Sequence, residues 1–214
     1  MNAPANLTAA TASALLERYY QRQAPIYDLT RWAFLFGRGA LLRWLAAGPA
    51  PEHLLEVGCG TGHNLARLAR LFPTARLTGV DLSDAMLARA ERRLHRYRGR
   101  VAFLRHRFEA PLPFDPPCDV VLFSYSLSMM NPGWDRALRA AARQLPPGGM
   151  IAVVDFAGTP WPWFRRWMAF NHVRLEGHLR AALGAAFRPR VDEVRTAYGG
   201  MWSYFWFIGQ VPDP

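Results

Sequence analysis

Leu54-Leu55-Glu56-Val57-Gly58-Cys59-Gly60-Thr61-Gly62-His63-Asn64 decides how the rest of the chain is read, because an apolar run with one acid passes into three alternate glycines and then into a helix-compatible stretch. Alternate glycines let the chain turn sharply and let a ligand approach the main chain where a Cβ would clash. The helix that follows turns its N-terminal amides toward the same spot. The residue after Gly62 is His63, so the third glycine of the dinucleotide pattern G-x-G-x-x-G is missing. The spacing is E-x-G-x-G-x-G instead.

Downstream of the loop, residues 65–71 suit a helix stopped by Pro73, and Arg76-Leu77-Thr78-Gly79-Val80-Asp81 is a short apolar strand ending in a carboxylate. Asp81 lies 19 residues past Gly62, about the offset at which a doubly wound sheet sets an acid against ribose hydroxyls. The plainer alternative is that Asp81 opens the next helix with Ser83 and Asp84. That helix is expected over 83–97. Further strands are expected at 101–104, 119–123 and 150–156, with a helix at 134–145 and a Pro-Pro-Gly-Gly turn at 146–149. Two last strands, near 190–196 and 201–208, close the sheet. The alternation implies an α/β fold, Rossmann-like and doubly wound, with a mostly parallel seven-stranded sheet. Residues 8–22 and 26–36, the latter resuming to Leu45, read as an N-terminal helical cap. The expected divisions of a single domain are a cap at 1–48, a ligand-binding core at 52–156, and an aromatic segment with closing strands at 157–214.

The chain has 214 residues, and its 26 basic side chains are all arginine against 16 acids, a net charge of +10. With no lysine, a Schiff-base mechanism is excluded. The charge attracts polyanions, whether nucleic acid or an anionic membrane. Residues 89–107 hold eight arginines and two histidines, either a solvated face or an anion contact. Cys59 and Cys118 form no C-x-x-C or zinc spacing, so no metal site and a reducing, cytoplasmic compartment are expected. The first sixteen residues lack the basic start of a signal peptide.

Residues 157–182 break the alternation. Trp161, Trp163, Phe164, Trp167, Met168 and Phe170 stand among Arg165, Arg166, His172 and Arg174. That composition suits either a membrane-surface segment or an aromatic core helix. Strand 119–123 delivers Ser124-Tyr125-Ser126-Leu127-Ser128-Met129-Met130 to the carboxyl edge of the sheet, where open α/β folds bind ligands.

The glycine spacing, with Glu56 before it and Asp81 after it, resembles the first motifs of class I S-adenosylmethionine (SAM) methyltransferases. That resemblance implies SAM as cofactor and a contact set of Tyr27, Glu56, Gly58, Cys59, Gly60, Gly62, Asn64, Asp81, Leu82, Phe108, Glu109 and Ser124. Many such enzymes place an acid against the adenine amino group just after strand three. Here Phe108 falls at that place, so either Glu109 takes the role or the adenine is held by stacking.

A closer resemblance joins the glycine loop to Tyr27-Asp28-Leu29-Thr30-Arg31-Trp32-Ala33-Phe34-Leu35-Phe36-Gly37-Arg38 and to the segment 124–130. Together these are similar to the diacylglyceryl-homoserine N-methyltransferases of bacterial betaine-lipid synthesis. The resemblance implies a lipid substrate at the inner membrane face and a companion enzyme that makes the homoserine lipid. Tyr27 and Tyr125 are candidates for lining the amine site, with His172 a further candidate base. Asp115-Pro116-Pro117-Cys118 looks like the D-P-P motif of nucleic-acid amino methyltransferases, but here it precedes strand four instead of following it. Nucleic acid is therefore not an expected partner.

Overall fold

The computed structural model describes residues 35–170, 173–175 and 177–212. The buried hydrophobic strands order themselves as β3-β2-β1-β4-β5-β7-β6 in one sheet of seven. Their bounds are β1 (His53–Val57), β2 (Arg76–Asp81), β3 (Val101–Arg105), β4 (Val120–Ser124), β5 (Met150–Gly158), β6 (Arg188–Ala197) and β7 (Trp202–Gln210). All neighbours as far as β5 run parallel, whereas β7 runs antiparallel to both β5 and β6. The order of strands across the sheet reverses between β1 and β4. At that switch point the two crossovers leave to opposite sides and open a crevice at the carboxyl ends of the strands.

β1 and β4 are buried along their whole length, as expected for central strands covered on both faces. One face carries Leu54, Leu122, Ala152 and Val154 beneath helices α1 (Arg38–Ala47) and α2 (His63–Leu71). The other carries Leu55, Val121, Phe123, Ile151 and Val153 beneath α4 (Trp134–Gln144) and α6 (His178–Ala186). Helix α3 (Asp84–Leu94) follows β2, and α5 (Pro162–Phe170) follows β5.

The doubly wound, mostly parallel seven-stranded sheet matches the expectation. The helix expected over 83–97 is instead α3 followed by a 3-10 turn at His95–Tyr97. The segment 157–182 contains α5 and the start of α6, a helix with no clear signal in the sequence. It begins after Gly177, whose φ of 70° is left-handed, and buries only Leu179 and Leu183, among its small residues, with Phe187 just beyond it. Of the N-terminal cap, α1 is described; the expected helix at 8–22 and the 26–36 helix up to residue 34 lie outside the described residues, and Leu35 and Phe36, at the end of the latter, are not helical.

Candidate active site

At the carboxyl end of β1 the chain turns through Gly58, Gly60 and Gly62, with φ of 73°, 53° and 71°. Side chains with a Cβ rarely adopt these angles. The amides of Gly58 and Cys59 both donate to the carbonyl of Val80, at 2.8 and 3.0 Å, which keeps the turn against β2. The need for glycine is partly internal to the protein. A Cβ on Gly58 would lie 2.5 Å from that of Ser126, and one on Gly62 would lie 2.7 Å from Cδ1 of Leu94. The sequence alone ascribes all three glycines to ligand approach, and close protein packing accounts for two of them.

Of the two roles the sequence leaves open for Asp81, the structure shows that of the helix entry, together with a bond to the glycine turn. Asp81 Oδ1 accepts the Ser83 amide at 3.0 Å, at the entry to α3, and its Oδ2 accepts the Gly60 amide at 2.8 Å. Each carboxylate oxygen has room for more than one donor, so a half-buried carboxylate braced in this way can also receive a diol. Glu56, fully buried, accepts from Asn64 Nδ2 at 2.8 Å. Asn64 Oδ1 and Ser124 Oγ are buried with no donor or acceptor among the described residues. Buried polar atoms are nearly always bonded, so the two orphans beside the glycine turn suit a polar ligand. Cys59 is buried within the core. Leu82 is half-buried, and its carbonyl accepts from Arg105 Nε at 3.2 Å.

Phe108 is packed inside the sheet, its ring 6.4 Å from that of Phe123. The carboxylate of Glu109 faces Arg136 at 3.1 Å and Arg107 at 3.8 Å. Of the two adenine alternatives, Phe108 is thus a core residue, and Glu109 is held by arginine at the start of α4.

Beyond β4, Tyr125 carries a left-handed φ of 55°. Its hydroxyl donates to the carbonyl of Phe36 at 2.7 Å, fastening the entrance of α1 to the sheet edge. Burial, with the charge of Asp155 adding to it, pushes the Tyr125 hydroxyl well above the ordinary tyrosine range. A phenol so placed holds its proton at neutral pH, and its hydrogen bond positions the chain. Tyr27 and His172 lie outside the described residues.

The candidates drawn from the sequence omit Asp155, which is wholly buried on β5. Its Oδ2 accepts the Ser128 amide at 3.0 Å and its Oδ1 accepts the Phe156 amide at 2.8 Å. Burial raises its pKa to about 6, against the lowering effect of hydrogen bonds from Ser128 and neighbouring amides. Ser128 O in turn accepts from Asn131 Nδ2 and from the amide of Arg174 at 3.0 Å, so the loop after β4 is tied to the segment following α5. An acid inside an otherwise apolar strand was the available signal.

Residues 54–149 match the protein family described as "Methyltransferase domain". The chain carries a class I SAM-dependent methyltransferase domain. Two curated methyltransferases resemble it beyond that span. The malonyl-[acyl-carrier protein] O-methyltransferase of Dechloromonas aromatica is 36% identical over 67% of this chain and 51% of its own length. The demethylmenaquinone methyltransferase of Thermus thermophilus is 34% identical over 64% of each. The chain thus spans half to just under two thirds of these relatives. Among solved structures, phospholethanolamine N-methyltransferase 2 of Haemonchus contortus, in complex with phosphomonomethylethanolamine and S-adenosylhomocysteine, superposes with a TM-score of 0.72 at 18% identity. That match covers 92% of this chain and 59% of the other, and it shows a shared fold. The methyltransferase domain puts its glycine turn, Asp81, Asn64 and Ser124 together at one edge, as the sequence pattern groups them.

Among the described residues, no three His, Cys, Asp or Glu side chains gather as a metal ion requires. No helix among them is long and apolar enough to cross a membrane.

Proposed function

We propose that this protein is a SAM-dependent N-methyltransferase acting on the headgroup amine of a membrane lipid, with diacylglyceryl-homoserine as the acceptor and the trimethylated betaine lipid as the product. The observation that carries the lipid part is α5. Phe164 and Met168 face the core, with Phe164 stacked on Trp202 at 5.6 Å. Trp163, Trp167 and Phe170 point outward with exposures of 59%, 48% and 82%, and Trp161 beside them is 51% exposed. Exposed aromatic rings in a contiguous patch mark a contact surface. Flanked by Arg166 and Arg174, both exposed, the patch has the composition of a peripheral lipid anchor on the inner face of the membrane. Arg165 is partly spent, since it donates to the Thr159 carbonyl at 3.0 Å.

SAM would supply a methyl group on a sulfonium: the lone pair of a neutral amine takes the methyl carbon as the C–S bond breaks, S-adenosylhomocysteine leaves, and the N–H proton is released to solvent, with no metal or covalent intermediate needed. The chain's own residues bind and orient. Asp81 receives the ribose hydroxyls, the glycine turn leaves space at the backbone, and Asn64 Oδ1 and Ser124 Oγ offer acceptors. Asn131 Oδ1, buried in the loop after β4 without a partner among the described residues, suits an incoming amine with N–H donors. Holding two reactants in line supplies about 7–11 kcal/mol of a bimolecular barrier, which leaves little for a strong base to do. The anchor brings the chain to a lipid that a companion enzyme prepares, and nucleic acid has no part in this reading.

The likeness to a demethylmenaquinone methyltransferase favours one second reading, methylation of a quinone precursor. Turnover on dispersed homoserine lipid, free homoserine, ethanolamine and a quinol precursor separates the two. Full activity on a free amine without liposome binding at low salt overturns the lipid reading. Activity on the quinol alone replaces it with the second.

A further inference from the structure

Most arginines of the stretch 89–107, Arg93 and Arg105 included, are exposed, yet three of them reach back to backbone carbonyls around the glycine turn and its helix. Arg93, on α3, donates from Nη1 to the carbonyl oxygen and to Oγ1 of Thr61, at 2.6 and 2.7 Å. Thr61 lies between Gly60 and Gly62. Arg100, on the turn before β3, donates to the carbonyls of Ala69, Phe72 and Ala75, gathering the last turn of α2 and the bend into β2. Arg105, at the end of β3, reaches the carbonyl of Leu82 at 3.2 Å and the carboxylate of Asp84 at 3.1 Å, next to Asp81. One side chain holds the glycine turn, one the far end of its helix, and one the loop after Asp81.

These contacts have a common chemical basis. Helix ends and turns leave carbonyls that no backbone amide reaches, and a guanidinium carries five donors in a fixed fork. The glycine turn needs such support because glycine gives up more freedom on ordering than any other residue. A loop ordered in advance spares an incoming ligand that cost. Two peptide groups of the turn, with one between them, are held by side chains: the Gly60 amide by Asp81 and the Thr61 carbonyl by Arg93.

We propose that residues 89–107 form a brace for the cofactor-binding backbone, and that Arg93 is a positioning residue that holds the glycine turn ready through Thr61. The inference rests on the assignment of SAM as the cofactor.

The test compares Arg93→Met and Arg93→Lys with Arg92→Met, an exposed neighbour on the same helix. Calorimetry with S-adenosylhomocysteine should show Arg93→Met binding about tenfold more weakly, the equivalent of one charged hydrogen bond. Arg93→Lys should recover part of the loss, and Arg92→Met should match the wild type. Hydrogen exchange of the cofactor-free protein should quicken at the amides of 60–62 in Arg93→Met alone, with no shift in melting temperature beyond that of Arg92→Met. Because the hold is a short-range bond, the roughly tenfold ratio should survive high salt, where long-range attraction is screened. A ratio that collapses in salt, or an Arg93→Met variant with wild-type affinity and exchange, overturns the brace. Failure of the wild type itself to bind the product overturns the cofactor assignment and the brace with it.

Discussion

The two halves of the sheet treat their surroundings in opposite ways. Around β1 and β2 most polar groups at the carboxyl edge are bound to the backbone or to one another, Asp81 to two amides, Asn64 Nδ2 to Glu56 and Ser126 Oγ to the carbonyl of Val57 at 2.8 Å, with Asn64 Oδ1 and Ser124 Oγ left over. Beyond β5 the chain turns aromatic rings to water on α5, and β6 is exposed along nearly its whole length. The first region is held by close packing and its own polar contacts, whereas the second presents aromatic rings to water, a composition that suits contact with another surface. The half around β1 and β2 should therefore resist substitution through packing and strain, whereas the exposed face of α5 should tolerate it.

The comparison breaks most readily at Gly62. Its φ is left-handed, and a Cβ there would stand 2.7 Å from Leu94 and 3.0 Å from Ala90. Gly62→Val therefore combines backbone strain and overpacking, each about 1–3 kcal/mol. We expect a lower melting temperature by denaturation. An unchanged melt would mean the turn is looser than its geometry implies.

Asp81→Ala removes the acceptor of two amides together with the site proposed for the ribose diol. Calorimetric affinity for S-adenosylhomocysteine should fall by at least about 1.5–3 kcal/mol. Wild-type affinity would take Asp81 out of the site.

Asp155 carries the pH dependence. Its folded pKa is raised from 3.8 to about 6, so the folded protein holds the proton more tightly than the unfolded chain. Stability from this group is present in acid and lost as pH rises through the interval between those values, remaining low above it. Asp155→Asn abolishes that slope, although it weakens one of the two amide bonds. Followed from about pH 4 to about pH 7, a window that spans the shift, the melting temperature of the wild type relative to the variant should fall as pH rises. A relative rise instead would mean the carboxylate is stabilised where it lies.

These positions also show how much is legible in the sequence. The glycine turn, the carboxylate ending β2 and the succession of strands and helices can be read because alternate glycines, a carboxylate ending an apolar run, and the alternation of strand and helix are local patterns. Asp155 passes for an ordinary member of strand five, since nothing local says that its oxygens meet the amide of Ser128, 27 residues away. Arg93 and Arg100 are invisible for the same reason: a run of arginines looks alike whether it faces solvent or a carbonyl. Phe108 looks like a displaced adenine contact, and only its packing on Phe123 shows it as core. The helix α6 buries so few apolar residues that its periodicity is faint.

Tyr125→Phe sharpens the division with a small effect. The lost bond to the Phe36 carbonyl costs about 0.5–1.5 kcal/mol of stability, and turnover should fall only a few-fold. A general base would cost about 10²–10⁴-fold. A loss of that size would make the hydroxyl a participant in proton transfer after all.

The smallest effect on stability belongs to the outward rings of the other half. Trp161, Trp163 and Trp167 are about half exposed or more, so replacing all three by alanine removes little that the folded core depends on, and the melting temperature should stay near that of the wild type. Binding to anionic liposomes should change in two separable parts. Attraction through Arg166 and Arg174 amounts to about 1 kcal/mol per side chain near the surface and decays over a Debye length of about 8–10 Å, so salt removes it in wild type and variant alike. Burial of the rings is insensitive to salt, so the fraction of wild type that still co-sediments in high salt should be absent from the triple variant. If both proteins co-sediment equally in high salt, the rings do not touch lipid and the exposed face of α5 serves another partner. If the triple variant instead melts well below the wild type, these rings belong to the core, and the contrast between the two halves of the sheet fails.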